Sequence, residues 1–270
     1  MEKENKFVPS YYRAPEDIFR ELGITEPEEI DVEAIAKYCG ALVVFERLTG
    51  CEARIIGTED RAVITVNSES IRPRQRFSVG HELGHWMRDR RTMFSCKERN
   101  FHTEWQVDNP ERRANDYAAD LLLPESMFVP LAKNRPITFA TGRELADKFR
   151  MSGTATAIRL VQFGSFPAMV VCSEKGKRKW FFRGKDVPGS IWPTDEPGKD
   201  TNAYELLTGS AESVAPGDVY ADEWINHEEA GQYSVYEDSI QIAPNLVLSL
   251  IWWKGEKQER MLSELEGDDD

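Results

Sequence analysis

The sequence predicts an α+β protein built in three blocks, and three observations predict it. Apolar residues recur at helical spacing in two short N-terminal segments and again along residues 110–123. Short apolar runs bounded by turn residues lie between them, at 42–45, 53–56 and 62–66. Past residue 165 the pattern changes to strand-length runs interrupted by a Pro/Gly-rich stretch. The blocks are expected at 1–136, 137–164 and 165–257, with an acidic tail over 258–270.

The first block opens with a helix over residues 15–22. A second follows over 32–39, where Asp31 is placed to cap and Val32, Ile35, Ala36 and Cys39 share one face. Strands are expected at 42–45, 53–56 and 62–66, the last two joined as a hairpin through Thr58-Glu59-Asp60. Ile71-Arg72-Pro73 leads into a helix over about 74–87. Residues 89–108 read as a polar loop. Asn109-Pro110 then starts a helix, Asn as cap and Pro at the first helical position, which ends before Pro124. In the second block, helices over 141–149 and 154–163 flank Met151-Ser152-Gly153, a helix-turn-helix outline. In the third, strands are expected at 168–172, 179–183, 233–242 and 247–253, with a loop over 188–200.

Composition narrows the function classes. The chain has 270 residues, enough to bury a core without cross-links. With 47 Asp plus Glu against 34 Lys plus Arg, the net charge is −13. Such a surface repels nucleic acid, so an extended phosphate-binding face is not expected, although Arg72, Arg74, Arg76, Arg88, Arg90 and Arg91 form a local basic cluster. No run approaches the roughly 20 apolar residues of a membrane helix, and the first residues carry no apolar signal core. Four scattered cysteines (Cys39, Cys51, Cys96, Cys172) without a CxxC pair point to reduced thiols, and a cytoplasmic location is expected.

The feature that carries chemistry is His81-Glu82-Leu83-Gly84-His85. Two histidines at i and i+4 on a helix lie on one face, one turn apart, and can reach one ion. Glu82 sits beside that ion, placed to take a proton from water. The plainer reading is two histidines and a glutamate on a solvated helix face. A catalytic zinc site needs a third protein ligand and an open position. Glu111 supplies a candidate, because it is three residues before Ala114 and seven before Ala118, on the inward stripe Ala114, Tyr117, Ala118, Leu121, Leu122. Its alternative role is to complement the helix dipole in the first turn. Asn115, one turn on, can hydrogen-bond Glu111 or another ligand. Asp116 and Asp120 face elsewhere, and His102 and Glu104 are weaker ligand candidates.

The joint pattern, Phe77 through His85 followed by Glu111-Arg112-Arg113-Ala114-Asn115 and a Leu-rich stop at Pro124, resembles the ImmA/IrrE family of bacterial and phage metallopeptidases. The resemblance covers about residues 10–135, is fainter over the helix-turn-helix-like block, and at the β-rich end is a weak one to the GAF-like sensor domain of the IrrE branch. It implies a zincin-like metallopeptidase domain with a small hairpin sheet and active-site helices, then a helical segment and a GAF-like domain. It further implies that His81, His85 and Glu111 bind Zn2+, with Mn2+ an alternative, and that Glu82 is the general base. Members cleave a partner repressor with a helix-turn-helix domain, inducing stress-response or mobile-element genes.

Three questions stay open at the level of sequence. The residue that stabilises the oxyanion could be His102, Tyr117 or His227. The helix-turn-helix outline could touch DNA or serve packing and repressor docking; its second helix begins Thr154-Ala155-Thr156-Ala157, which favours the latter. Trp180, Trp192, Trp224, Trp252 and Trp253 fill a sheet core or line a pocket for a small-molecule ligand, and Cys172, in an apolar strand, is expected to be inert. A chain that sequesters a repressor or antitoxin without cutting it is the competing function; it has no need of Glu82.

Overall fold

A computed structural model describes residues 11–58, 60–90 and 109–266. The fold is mixed α+β and divides into two compact units, Met1–Met127 with Lys148–Ser152, and Phe128–Asp147 with Gly153–Asp270.

The first unit opens with α1 (Pro15–Leu22), ended by Gly23 in the left-handed region, and α2 (Val32–Tyr38). The Asp31 carboxylate caps α2 by accepting the Glu33 and Ala34 amides. Strands β1 (Ala41–Glu46), β2 (Ala53–Gly57) and β3 (Ala62–Asn67) form a sheet of order β1-β3-β2. The expected hairpin is present: β2 and β3 are antiparallel, with Ile56 opposite Val63. β1 joins β3 on its other side in parallel. One face of the sheet is buried through Ile64, Val66 and the alanines that begin each strand, and the helix α3 (Arg72–Asp89) packs against it. The other face leaves Leu42, Val63 and Ile56 exposed in one cross-strand row.

α3 is anchored by Val79, Leu83, Trp86 and Met87, all buried. Trp86 does two things. Its indole N–H donates to the Cys39 carbonyl at 2.8 Å, and its ring lies so close to Gly57 that any side chain there would meet it. α4 (Pro110–Leu122) runs beside α3, capped by the Asn109 side chain, which accepts the Glu111 amide.

The described arginines of the sequence cluster, Arg72, Arg74, Arg76, Arg88 and Arg90, have separate partners. Arg76 is buried and donates to the Ile30 carbonyl, Arg72 pairs with Glu33, and Arg74 lies near Glu52. Arg88 and Arg90 stack on Tyr12 and Tyr11. Arg91 lies outside the described residues.

The helix α5 (Glu125–Ala132), which the sequence reading lacks, precedes α6 (Phe139–Phe149) and α7 (Gly153–Phe163). The turn between α6 and α7 holds Arg150 at φ 55°. No residue of α7 beyond Gly153 is exposed; Thr156, Ala157, Arg159, Leu160 and Val161 are buried, and the helix packs on the strands Ala168–Glu174 and Lys177–Arg183 of its own unit.

The second unit is a five-stranded antiparallel sheet of order β5-β4-β8-β7-β6, built from β4 (Ala168–Glu174), β5 (Lys177–Arg183), β6 (Gly217–Tyr220), β7 (Ser234–Ala243) and β8 (Leu246–Trp252). β4 and β8 are buried on both faces, which is why Met169-Val170-Val171-Cys172 and Val247-Leu248-Ser249-Leu250-Ile251 read as continuous apolar runs. The core gathers Met169, Val171, Ile251, Trp224 and Trp253 with α8 (Asn202–Thr208). Trp224, Trp252 and Trp253 are core residues as expected. Trp192 is not: it is half exposed, edge-on to Phe181 and under the Arg183 guanidinium.

The tail also departs from expectation. Helix α9 (Glu256–Glu266) replaces the start of the acidic end and buries Met261 and Leu262 in the same core; residues 267–270 lie outside the described residues. Two apolar residues among many acids are a weak sequence signal, but burying each removes a large side chain from water. Among the described residues no helix is long and apolar enough to cross a membrane, and Cys39, Cys51 and Cys172 are free thiols.

Candidate metal centre

α3 and α4 approach unusually closely because small residues meet where they cross. A Cβ on Gly80 would lie 3.2 Å from the Ala118 Cβ, and one on Gly84 would lie 2.9 Å from the Ala114 Cα. Gly80 and Gly84 lie one turn apart, as do Ala114 and Ala118, so two notches fit two small side chains. This contact sets the first turn of α4 beside the middle of α3.

The consequence is a convergence of three ligand-type side chains. His81 Nε2 lies 3.2 Å from His85 Nε2 and 3.3 Å from Glu111 Oε2; His85 Nε2 lies 3.6 Å from Glu111 Oε1. The imidazole planes are nearly perpendicular, at 84°. His85 is fully buried, His81 nearly so, and Glu111 is half exposed. Glu111 therefore sits at the rim of the inward stripe rather than within it; the buried face of α4 begins at Ala114.

These residues fit a divalent ion on two grounds. Ligand bonds of about 2.0–2.1 Å to a tetrahedral zinc place neighbouring donor atoms roughly 3.3–3.4 Å apart. The three observed separations bracket that value. Each imidazole also turns its other nitrogen to an oxygen, His81 Nδ1 to Asn115 Oδ1 at 2.9 Å and His85 Nδ1 to Asp89 Oδ2 at 3.4 Å. An Nδ1–H donating to those oxygens leaves both Nε2 atoms as lone-pair donors aimed at one point. The ion's place would be shared by Nε2 of His81, Nε2 of His85 and the Glu111 carboxylate, whose ligand atoms all lie within 4.8 Å of one another. Where an imidazole carries its proton on Nε2 instead, the hydrogen bond from His81, and then that from His85, holds the Glu111 carboxyl well below the usual carboxylate range.

Glu82 differs from Glu111 although both are glutamates. It is 2 % exposed, and its Oε2 is buried without a hydrogen-bond partner among the described residues. Burial pushes its carboxyl above the ordinary value, against the pull of His81 and His85. A carboxylate that has lost its hydration and has an oxygen to spare is a stronger proton acceptor than one in water.

Other candidate residues fall elsewhere. Tyr117 is buried, and its hydroxyl donates to the Arg13 carbonyl at 3.1 Å, so it is engaged away from the histidines. His227 belongs to the second unit, where its Nδ1 accepts the Glu229 amide. His102 and Glu104 lie outside the described residues. Asp116 and Asp120 are exposed, as their helical positions require. Asn115 reaches His81 rather than Glu111.

Two residues of the site escape a reading of the motif alone. Asp89 stands four residues after His85 and so on the same face of α3, a spacing that could have flagged it. Arg113 donates to Asp89 Oδ1 at 3.1 Å from α4; nothing local in the sequence announces that pairing.

Residues 36–161 match the family model of the IrrE N-terminal-like domain, peptidase M78. Among solved structures, one described as "Mycobacterium tuberculosis transcriptional regulator" is similar in fold, with a TM-score of 0.58 and 15% identity, over 95% of this chain and 79% of that one. No curated protein matches the chain in sequence.

Proposed function

From the premise that residues 36–161 form an IrrE N-terminal-like domain of the M78 peptidases, we propose that the chain is a zinc-dependent endopeptidase that cuts a partner repressor carrying a helix-turn-helix domain, and so releases stress-response or mobile-element genes. The observation that carries the hydrolytic part is the convergence of His81, His85 and Glu111 at tetrahedral spacing beside a buried, under-bonded Glu82.

His81, His85 and Glu111 would hold the ion. When bound, it lowers the pKa of a water and polarises the scissile carbonyl. Glu82 takes a proton from the attacking water and passes it to the leaving amine nitrogen. Asn115 keeps the His81 imidazole turned the right way. Manganese could occupy the same nitrogen and oxygen donors, and metal analysis separates the two.

The regulatory part draws on the family resemblance and on the structure described as a transcriptional regulator. With Thr156, Ala157, Arg159, Leu160 and Val161 buried, α7 supports a packing role over direct DNA reading. The antiparallel sheet of the second unit, with helices packed on it, supports reading that unit as a GAF-like sensor module for a small ligand.

The test is metal content followed by cleavage. Elemental mass spectrometry should find about one zinc per chain, lost in His85→Ala. A helix-turn-helix repressor encoded beside this gene should be cut by the wild type and survive Glu82→Gln. Tight binding of that repressor with no cutting by the zinc-loaded wild type would instead identify sequestration as the function.

A further inference from the structure

We propose that Asp89 and Arg113 are a positioning pair for the metal centre, Asp89 orienting the His85 imidazole and Arg113 holding Asp89 in place. This rests on the metallopeptidase reading above and adds to it two residues outside the ligand and base motif.

Geometry carries the inference. His85 is fully buried, so its ring cannot use water to select a tautomer. Its Nε2 faces His81 and Glu111, and its Nδ1 faces Asp89 Oδ2. A carboxylate at Nδ1 demands the proton there, which leaves the lone pair at Nε2 aimed at the ion. The Asp89 side chain is itself only 12% exposed, and its second oxygen receives the Arg113 guanidinium. Without that cation, the Asp89 side chain would be free to swing to solvent, and that change removes the acceptor that His85 needs.

The two histidines are supported unequally. His81 is met by a neutral amide oxygen at 2.9 Å, whereas His85 is met by a charged carboxylate at 3.4 Å. A charged acceptor raises the basicity of the imidazole it holds, so His85 is the stronger donor of the two. Arg113 follows Glu111 by two residues on α4. One helical turn therefore brings both a ligand-type carboxylate and the clamp on the residue behind His85, and ties the end of α3 to the start of α4.

The test uses the full chain and zinc alone. Zinc affinity, read by competition with a chromogenic chelator, is measured for the wild type, Asp89→Ala, Asp89→Asn, Arg113→Ala, the double alanine variant and His85→Ala. Asp89→Ala should weaken zinc about 10–100-fold. Arg113→Ala should weaken it less, Asp89→Asn should fall between wild type and Asp89→Ala, and the double variant should match Asp89→Ala, because Arg113 acts through Asp89. Nitrogen-15 spectra of the metal-free protein supply a readout that mere structural support would not move: His85 protonated on Nδ1 in the wild type, and a tautomer mixture in Asp89→Ala. Wild-type zinc affinity in His85→Ala would overturn the metal site itself. Loss of zinc in His85→Ala, with wild-type affinity and tautomer in Asp89→Ala, would overturn only the positioning pair. Should Asp89→Ala not fold, Arg113→Ala decides, and wild-type affinity with an unchanged His85 tautomer there would sink the proposal.

Discussion

Gly84 and Ala114 touch so closely that a methyl group on Gly84 would stand 2.9 Å from the Ala114 Cα and 3.0 Å from its carbonyl oxygen. Backbone atoms cannot step aside as a flexible side chain can. Gly84→Ala must therefore part α3 from α4 and carry Glu111 away from the histidines. We expect a loss of about 1–3 kcal/mol in stability from overpacking, together with weaker zinc binding. Helix propensity alone argues the other way, since alanine favours a helix by up to about 1 kcal/mol over glycine. A variant that melts higher than the wild type and binds zinc as well would show that this contact does not set the site.

Glu82→Gln should separate binding from chemistry. The amide keeps the shape of the carboxyl but cannot accept the proton. Zinc content should be unchanged and cleavage slower by about 10²–10⁴-fold. Because burial penalises the Glu82 carboxylate, the variant should melt no lower than the wild type. A wild-type rate of cutting would remove Glu82 from the mechanism.

Thiol reactivity should follow burial. Cys39 and Cys172 are buried, and loss of hydration pushes both thiols up to about 11. Cys51 is partly exposed. Peptide mapping after alkylation of the native protein at pH 8 should find Cys51 labelled well before the other two, because the thiolate is the reactive form. Labelling of Cys172 first would revive a redox role for it.

Glu237 gives a pH signature in the second unit. It is buried, accepts the Asn202 and Ala203 amides at the start of α8 and receives the Ser239 hydroxyl. Burial nonetheless raises its carboxyl above the ordinary 4.5. A carboxyl raised on folding favours the folded state while protonated, so its contribution is full below pH 4.5 and declines as pH climbs through the folded value. In denaturant melts, the stability advantage of the wild type over Glu237→Gln should shrink between pH 4 and pH 7. A growing advantage would mean that the hydrogen bonds outweigh the burial.

DNA should not bind. Thr156, Ala157, Arg159, Leu160 and Val161 of α7 are buried, and the chain carries a net charge of −13. Fluorescence anisotropy with duplex DNA at physiological salt should stay flat; a saturable rise would place a DNA-reading surface on some other element.

Much of the first unit was legible because its signals are local. The Asp31 and Asn109 caps, the apolar run of β3 and the i, i+4 histidines are each contained within a few residues. The elements missed were those with weak local signals. α8 has seven residues, β6 has four, and α9 hides two buried apolar residues among acids. Trp192 shows the opposite error: an aromatic in a Pro/Gly-rich loop looks like core by composition, yet its chain path leaves it half exposed.

The sequence by itself determined which residues could do chemistry. His81, Glu82 and His85 owe their common placement to the pitch of one helix, and Glu111 could be singled out by its offset from the apolar stripe of another. What only the tertiary structure decided was distance between elements. That Glu111 reaches both imidazoles, that Asn115 serves His81 and not Glu111, and that Arg113 restrains the carboxylate behind His85 all depend on how near two helices lie. That approach is set by Gly80 and Gly84 against Ala114 and Ala118. Helical periodicity is a property of neighbouring residues, but the separation of two helices is fixed by the volumes that meet where they cross, and those volumes come from residues 30 and 38 positions apart in the chain.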